Sequence, residues 1–167
     1  LSAPGMLIGR TKRSPHPHAR LLSIDTSRAR ALPGVEAVVT AADIRGTNRH
    51  GIERQDQPLL VPLYDRARMV GDPVAAVAAR TQEIADEALD LIEVEYQELP
   101  AVTTIEDALS PKAPLVHDAF ERNVCSEYHY VRGDPDRGFA EADWVVEDVF
   151  DLPRQEHAYL EVEGGLA

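Results

Sequence analysis

The stretch DPVAAVAARTQEIADEALDLIEVEYQEL, residues 72–99, decides the reading of the fold. After Asp72, PVAAVAA (73–79) is a continuous run of small apolar side chains, the composition of a strand buried on both faces. Thr81 then stands where a helix N-cap belongs. Beyond it Ile84, Ala85, Ala88, Leu89, Leu91 and Ile92 recur at helical spacing. Gln82, Glu83, Asp86, Glu87, Asp90 and Glu93 fill the opposite face. Glu83 in the first turn suits the helix dipole. From Glu93 the period drops to two, with Val94 and Tyr96 on one side, which predicts another strand. Strand, helix and strand joined by so short a link imply a right-handed crossover between parallel strands.

Working toward the N-terminus, residues 45–66 are broken by Gly46, Gly51, Pro58 and Pro62 and read as a loop with one or two short strands. VEAVVTA (35–41) is a strand, followed by a turn of helix at AADI. ARLLSID (19–25) is a strand too, and Asp25, Thr26 or Ser27 caps a short helix that Pro33 and Gly34 stop. MLIGRTKR (6–13) alternates as a strand. SPHPH (14–18) holds two prolines that force an extended or turning backbone.

Toward the C-terminus, Thr104 to Asp107 has the form of a capping box for a short helix ended by Pro111. Strands are predicted at CSEYHYVRG (125–133), DWVVEDVFDL (143–152) and EHAYLEVE (156–163). Asp134-Pro135 is a cap and first-turn pair for a helix over DPDRGFAEA. The fold class is α+β with a mixed sheet, one long amphipathic helix and several short ones. A regular βαβα alternation is absent.

Composition narrows the function. The 167 residues carry 17 basic and 29 acidic side chains, a net charge of −12, which argues against a nucleic-acid partner. Only Lys12 and Lys112 are lysines. Residues 1–30 are locally basic, with Arg10, Lys12, Arg13, Arg20, Arg28 and Arg30 against Asp25; this is either a solvated face or a docking face. A single cysteine, Cys125, excludes a disulfide framework and any cluster held by several thiolates of these residues, and its strand-like setting predicts a small core side chain. Neither a run of about 20 apolar residues nor a secretory leader is present, so the expectation is a soluble, cytoplasmic chain without a membrane partner. It starts at Leu1 without an initiator methionine, which predicts processing or excision from something longer.

Nucleotide-binding glycine patterns and the G-x-S-x-G elbow are missing. His16 and His18 could face one side of an extended segment, but two ligands make a poor metal site, and His50, His117 and His129 are isolated. Arg132-Gly133-Asp134 imitates an adhesion tripeptide, yet Asp134 is already employed as a cap. In RQEHAYLEVEGGLA (154–167), His157, Tyr159, Glu161 and Glu163 share one face of the predicted strand and Ala158, Leu160 and Val162 the other. That polar face either lines a site or meets another domain.

Four segments together carry a resemblance: RSPHPHARLLSIDTSRARALPGVEAVVTAADI, RMVGDPVAAVAARTQEIADEALDLIEVEYQELPAVTTIEDAL, GDPDRGFAEADWVVEDVF and RQEHAYLEVEGGLA. In this order and spacing they resemble the start of the large subunit of molybdenum hydroxylases, the xanthine dehydrogenase and aldehyde oxidase family. The resemblance covers nearly the whole sequence. It implies an α/β-hammerhead domain over 1–115, and over 116–167 a linker and the first strands of a molybdenum-cofactor-binding domain. It further implies that a molybdenum-bound hydroxide hydroxylates an aldehyde or N-heterocycle with help from a glutamate base, the oxygen coming from water. Electrons then leave through 2Fe–2S clusters, usually to FAD, on other domains or subunits.

None of that machinery maps onto residues here, so the expected catalytic, cofactor-binding and metal sets of these residues are empty. SPHPHAR, LPGV and VGDPVA resemble structural parts of the hammerhead. Glu161 falls on the family's glutamate in an H-x-x-L-E-P pattern, with Val162 in place of proline and Gly164 and Gly165 in place of bulkier residues. The expected partners are the remainder of the large subunit and iron–sulfur and FAD domains or subunits; homo-oligomerisation is left open. Two other readings stand beside this one. One is a non-catalytic module docking such subunits through the basic N-terminal face. The other is an acidic ligand-binding domain with its site in the 45–66 loop. Residues 154–167 are expected to be disordered or covered by a neighbouring molecule.

Overall fold

In a computed structural model, residues 3–52, 54–160 and 164–166 are described. The chain forms two units, one running to Val124 and one beginning at Cys125.

The first unit holds six strands and three helices: β1 (Ile8–Arg13), β2 (Ala19–Asp25), α1 (Ser27–Ala31), β3 (Val35–Thr40), β4 (Arg66–Ala67), β5 (Pro73–Ala79), α2 (Gln82–Leu91), β6 (Glu93–Glu98) and α3 (Ile105–Leu109). They make two three-stranded sheets, ordered β1-β5-β3 and β4-β2-β6. Every strand pair is antiparallel. The class is therefore α+β, but the expected mixed sheet and parallel crossover are not formed. After α2 the chain does not return to the sheet of β5; β6 joins the other sheet, pairing Val94 with Ile24 and Tyr96 with Leu21. The crossover rule presumes that both strands share one sheet, which spacing alone does not reveal.

The alanine-rich β5 explains how the first sheet meets its helices. Ala75, Val77 and Ala79 point to one face and are buried with Val38 of β3, Ala29 of α1, and Ala85, Ala88 and Ile92 at α2 and its end. Small side chains on both surfaces let helix and sheet approach closely, so added volume has nowhere to go. The α2 helix is capped by Thr81, whose hydroxyl accepts from the Ile84 N–H at 3.3 Å. It splits into apolar and acidic faces as its sequence predicts, but at ten residues it is shorter than the long helix anticipated. Gly34 is required where the chain turns into β3: its φ is +93° and a Cβ would lie 2.7 Å from Ile84 Cδ1. A second, smaller core gathers Leu21, Val61 and Val74, with Val94 and Tyr96 partly covered beside it.

Caps follow their residue chemistry. Asp25 accepts from the Ser27 N–H at 2.8 Å, and Thr104 accepts from the Asp107 N–H at 3.1 Å. A 3₁₀ turn at Ala41–Asp43 is closed by Asp43, whose carboxylate accepts from both the N–H and the hydroxyl of Thr40, at 2.8 and 3.0 Å.

Among its described residues the second unit contains one element, α4 (Pro135–Glu141), with Asp134 accepting from the Arg137 N–H at 3.0 Å and Arg137 paired to Glu141 at 2.7 Å. The three strands predicted here are corrected. Residues 125–134 and 142–160 join no ladder, and all of them are exposed. A strand requires a ladder of N–H and C=O bonds to a neighbouring strand, and none is formed there among the described residues. Ala158 adds a local reason: its φ of +51° is incompatible with a strand passing through 156–160. Residues 161–163 of that expected strand lie outside the described residues. Cys125, expected in a core, is exposed.

Candidate functional site

Two sequence features lock together in the first unit. Ser14 of SPHPH and Gly71-Asp72 of VGDPVA exchange backbone bonds: Ser14 N–H to Asp72 O at 2.8 Å and Gly71 N–H to Ser14 O at 2.9 Å. Arg13 adds a guanidinium bond to Gly71 O at 2.8 Å. Met69 to Asp72 is a tight turn, closed by the Asp72 N–H on Met69 O at 3.3 Å, and Gly71 takes its φ of +97°. Asp72 fixes the turn from the other side, accepting from the Arg68 N–H at 2.6 Å and the Met69 N–H at 3.3 Å. Ser14 is buried, and its hydroxyl accepts from the His16 N–H at 3.2 Å. These residues shape backbone and present no reactive group.

His16 and His18 are not brought together as ligands. His18 is 8% exposed, and its Nδ1 donates to Pro100 O at 2.6 Å, which places the proton on Nδ1 because a carbonyl only accepts. Its Nε2 is buried without a partner. The His16 ring lies 4.9 Å from that of Tyr96, and its Nδ1 is 3.6 Å from Glu98. Burial raises the Tyr96 phenol pKa, an effect that the nearby Ser14 hydroxyl partly offsets. His50 bridges to Gln57 through backbone bonds, His117 sets its ring edge-on to Phe120, and His129 lies 3.4 Å from Glu127.

The 45–66 loop does border a cavity, of about 380 Å³, completed by residues 117–120. Its polar lining comes from Asn48, Arg49, Asp56, Asp65, Arg68, His117 and Asp118. Most of this charge is already matched. Arg68 is 16% exposed and bonds Asp65 at 3.0 Å, Val116 O at 3.0 Å and Arg66 O at 2.9 Å, while Arg66 pairs with Asp118. Asn123 accepts from the Val116 N–H at 2.9 Å and donates to Pro114 O at 3.0 Å. Arg54 sits over the Phe120 ring at 4.7 Å. The arrangement fastens 114–124 to the domain. Sequence reasoning missed it, although Arg66 and Arg68, two apart, carried the period-two signal of a shared strand face.

The basic N-terminal segment is largely answered from within. Arg10 pairs with Asp86 at 2.6 Å and Arg28 with Glu93 at 3.0 Å; Arg30 lies 3.6 Å from Asp43. Lys12 donates to Leu89 O at the end of α2, at 2.9 Å.

In the second unit, His157 and Tyr159 stack with ring centroids 5.4 Å apart and planes within 9°. Glu161 and Glu163 lie outside the described residues. A Cβ on Gly164 or Gly165 would meet nothing within 4 Å among the described residues. Among the described residues no group of three metal-ligating side chains exists, and no helix is long and apolar enough to cross a membrane.

Residues 1–100 match the family model described as aldehyde oxidase and xanthine dehydrogenase, a/b hammerhead domain. The chain belongs to the aldehyde oxidase and xanthine dehydrogenase family. Residues 116–167 match a molybdopterin cofactor-binding domain. Over 167 residues the chain is 48% identical to a probable xanthine dehydrogenase subunit of Bacillus subtilis, covering all of this chain and 22% of that protein. It is 42% identical to the nicotinate dehydrogenase large molybdopterin subunit of Eubacterium barkeri, covering 99% of this chain and 38% of that protein. The quinoline 2-oxidoreductase of Pseudomonas putida 86 superposes with a TM-score of 0.73 at 40% identity, over 87% of this chain and 19% of that one. The chain thus spans well under half the length of these relatives. The paired SPHPH and VGDPVA segments belong to the hammerhead region.

Proposed function

We propose that the chain is the N-terminal part of the large, molybdopterin-binding subunit of a xanthine dehydrogenase or aldehyde oxidase type enzyme. That enzyme would hydroxylate an aldehyde or N-heterocycle with oxygen taken from water. The two adjoining family matches, over 1–100 and 116–167, carry the reading. We place the hammerhead at 1–115 and the opening of the cofactor domain at 116–167. The molybdenum cofactor supplies hydroxyl transfer and accepts the electron pair when bound. The residues of this chain contribute scaffold: the Ser14–Asp72 knot, the packed sheet under α2, and the Arg66, Arg68 and Asn123 fastening that sets where the chain leaves the hammerhead. The proposed partners are the rest of the subunit and iron–sulfur and FAD domains or subunits, in the cytoplasm, with no catalytic residue among these 167.

The test compares the 167-residue chain with its reading frame extended past Ala167, both expressed in a host that makes the cofactor. Molybdenum content and oxidation of aldehydes and purines with a dye acceptor are measured. The extended protein with its partner subunits carries metal and activity, and the short chain carries neither. Stoichiometric molybdenum in the short chain overturns the inactive-alone reading; an extended protein without molybdenum overturns the assignment.

A further inference from the structure

Among the described residues the end strands are β1 and β3 in the first sheet and β4 and β6 in the second, each with one edge outside its ladder; of these, β1 and β6 lie together. Both strands border one groove of about 590 Å³. One wall carries Lys12, Arg13 and His16; the other is largely apolar, with Leu89, Val94 and Tyr96 beside Asp90. The cations are not neutralised there. Lys12 and Arg13 bond only backbone carbonyls, of Leu89 and Gly71, and neither forms an ion pair among the described residues. His16 faces Glu98 at 3.6 Å. A bare strand edge offers alternate N–H and C=O groups to any extended chain alongside.

We propose that the free edge of β1 is a docking site for an extended acidic segment of another polypeptide, added as a further strand of the first sheet. Main-chain bonds to β1 hold it, and its carboxylates project to the α2-facing side of the sheet, where Lys12 lies opposite the buried Ala75, with Arg13 at the end of the strand. The six residues of β1 match a partner segment about 20 Å long. Charge selects the partner. A second copy joining edge to edge would bring Lys12 and Arg13 against the same two cations, which disfavours self-pairing. A basic segment would meet the same repulsion. The site needs no molybdenum cofactor, so its fate is separate from that of the proposed activity.

The probe is a fluorescein-labelled octapeptide of alternating Glu and Val, titrated into the full 167-residue chain and followed by anisotropy and by backbone amide NMR. Saturable binding is expected, with amide shifts confined to Ile8–Arg13 and Leu89–Tyr96. The Lys12→Glu/Arg13→Glu variant is expected to weaken it by about tenfold or more, through reversal of two contacts. Methylating alternate amides of the peptide, at unchanged charge, is expected to abolish it; this arm uses the native chain and decides the question even if the double variant does not fold. Failure to saturate, equal binding of the Lys-Val octapeptide, undiminished binding of the methylated peptide, or shifts elsewhere overturns the proposal. Shifts of the β1 amides that grow with protein concentration alone assign the edge to a second copy and overturn it too.

Discussion

ARLLSID at 19–25 and DWVVEDVFDL at 143–152 both read as strands from their residues, and only the first becomes one. In β2, Leu21 is 1% exposed, held between β4 and β6 on its two edges. In 143–152, Trp144 is 89% and Phe150 84% exposed, and the segment joins no ladder among the described residues. Alternation gives a segment the capacity for one buried face. The ladder partner and the opposing layer turn that capacity into structure, and they are properties of the whole fold.

The contrast is broken or sharpened most strongly by amide hydrogen exchange. Amides of β2 bonded to β6 are expected to exchange slower than free peptide by a factor on the order of 1,000 or more, while those of 143–152 exchange close to the free rate. In a protein extended past Ala167, protection should spread into 143–152; its absence there would show that the segment is no latent strand. Next comes packing. Leu21→Ala is expected to cost about 2–5 kcal/mol in urea unfolding, and Phe150→Ala less than about 0.5 kcal/mol in the same 167-residue chain. Equal costs would erase the distinction.

Arg68→Met tests whether side chains alone can organise an irregular segment. Loss of its bonds to Asp65, Val116 and Arg66 is expected to cost about 2–3 kcal/mol and to raise exchange across 114–124. A neutral result would leave that segment as loosely held as 143–152. The smallest effect is a capping one. Asp43 is held below its usual value of 3.8, first by the Thr40 N–H and then by the Thr40 hydroxyl. A lowered carboxylate stabilises the fold above its unfolded pKa, and the contribution fades as pH falls through the lower folded value. Asp43→Asn should therefore reduce stability slightly at neutral pH, with the gap from wild type closing below about pH 4 on acid titration.

Much of the hammerhead was legible because its cues are local. Thr81 acts as a cap, Gly34 takes the positive φ of its turn, and the strands of 8–40 and 73–98 fall within a residue or two of their expected bounds. Sheet membership was not legible. Which strand β6 pairs with depends on Tyr96 meeting Leu21, 75 positions away, and no spacing rule encodes that. The Arg66, Arg68 and Asn123 fastening escaped for the same reason, since each side chain answers a carbonyl in a different part of the chain. In the C-terminal segment the strand readings fail, because no ladder forms there among the described residues. The same limit applies to His157 and Tyr159, which stack on each other outside any strand.

The order in which strands pair has a consequence during synthesis. β1 emerges first but finds its neighbour only in β5, and β2 waits for β6. At about 5–20 residues per second, the roughly 60–70 intervening residues take some 3–15 s to leave the ribosome. For that interval the nascent chain displays Leu21 and the open edges of β1 and β2 with nothing to cover them. Chaperone capture during translation, rather than rapid local folding, is what this arrangement of strands calls for.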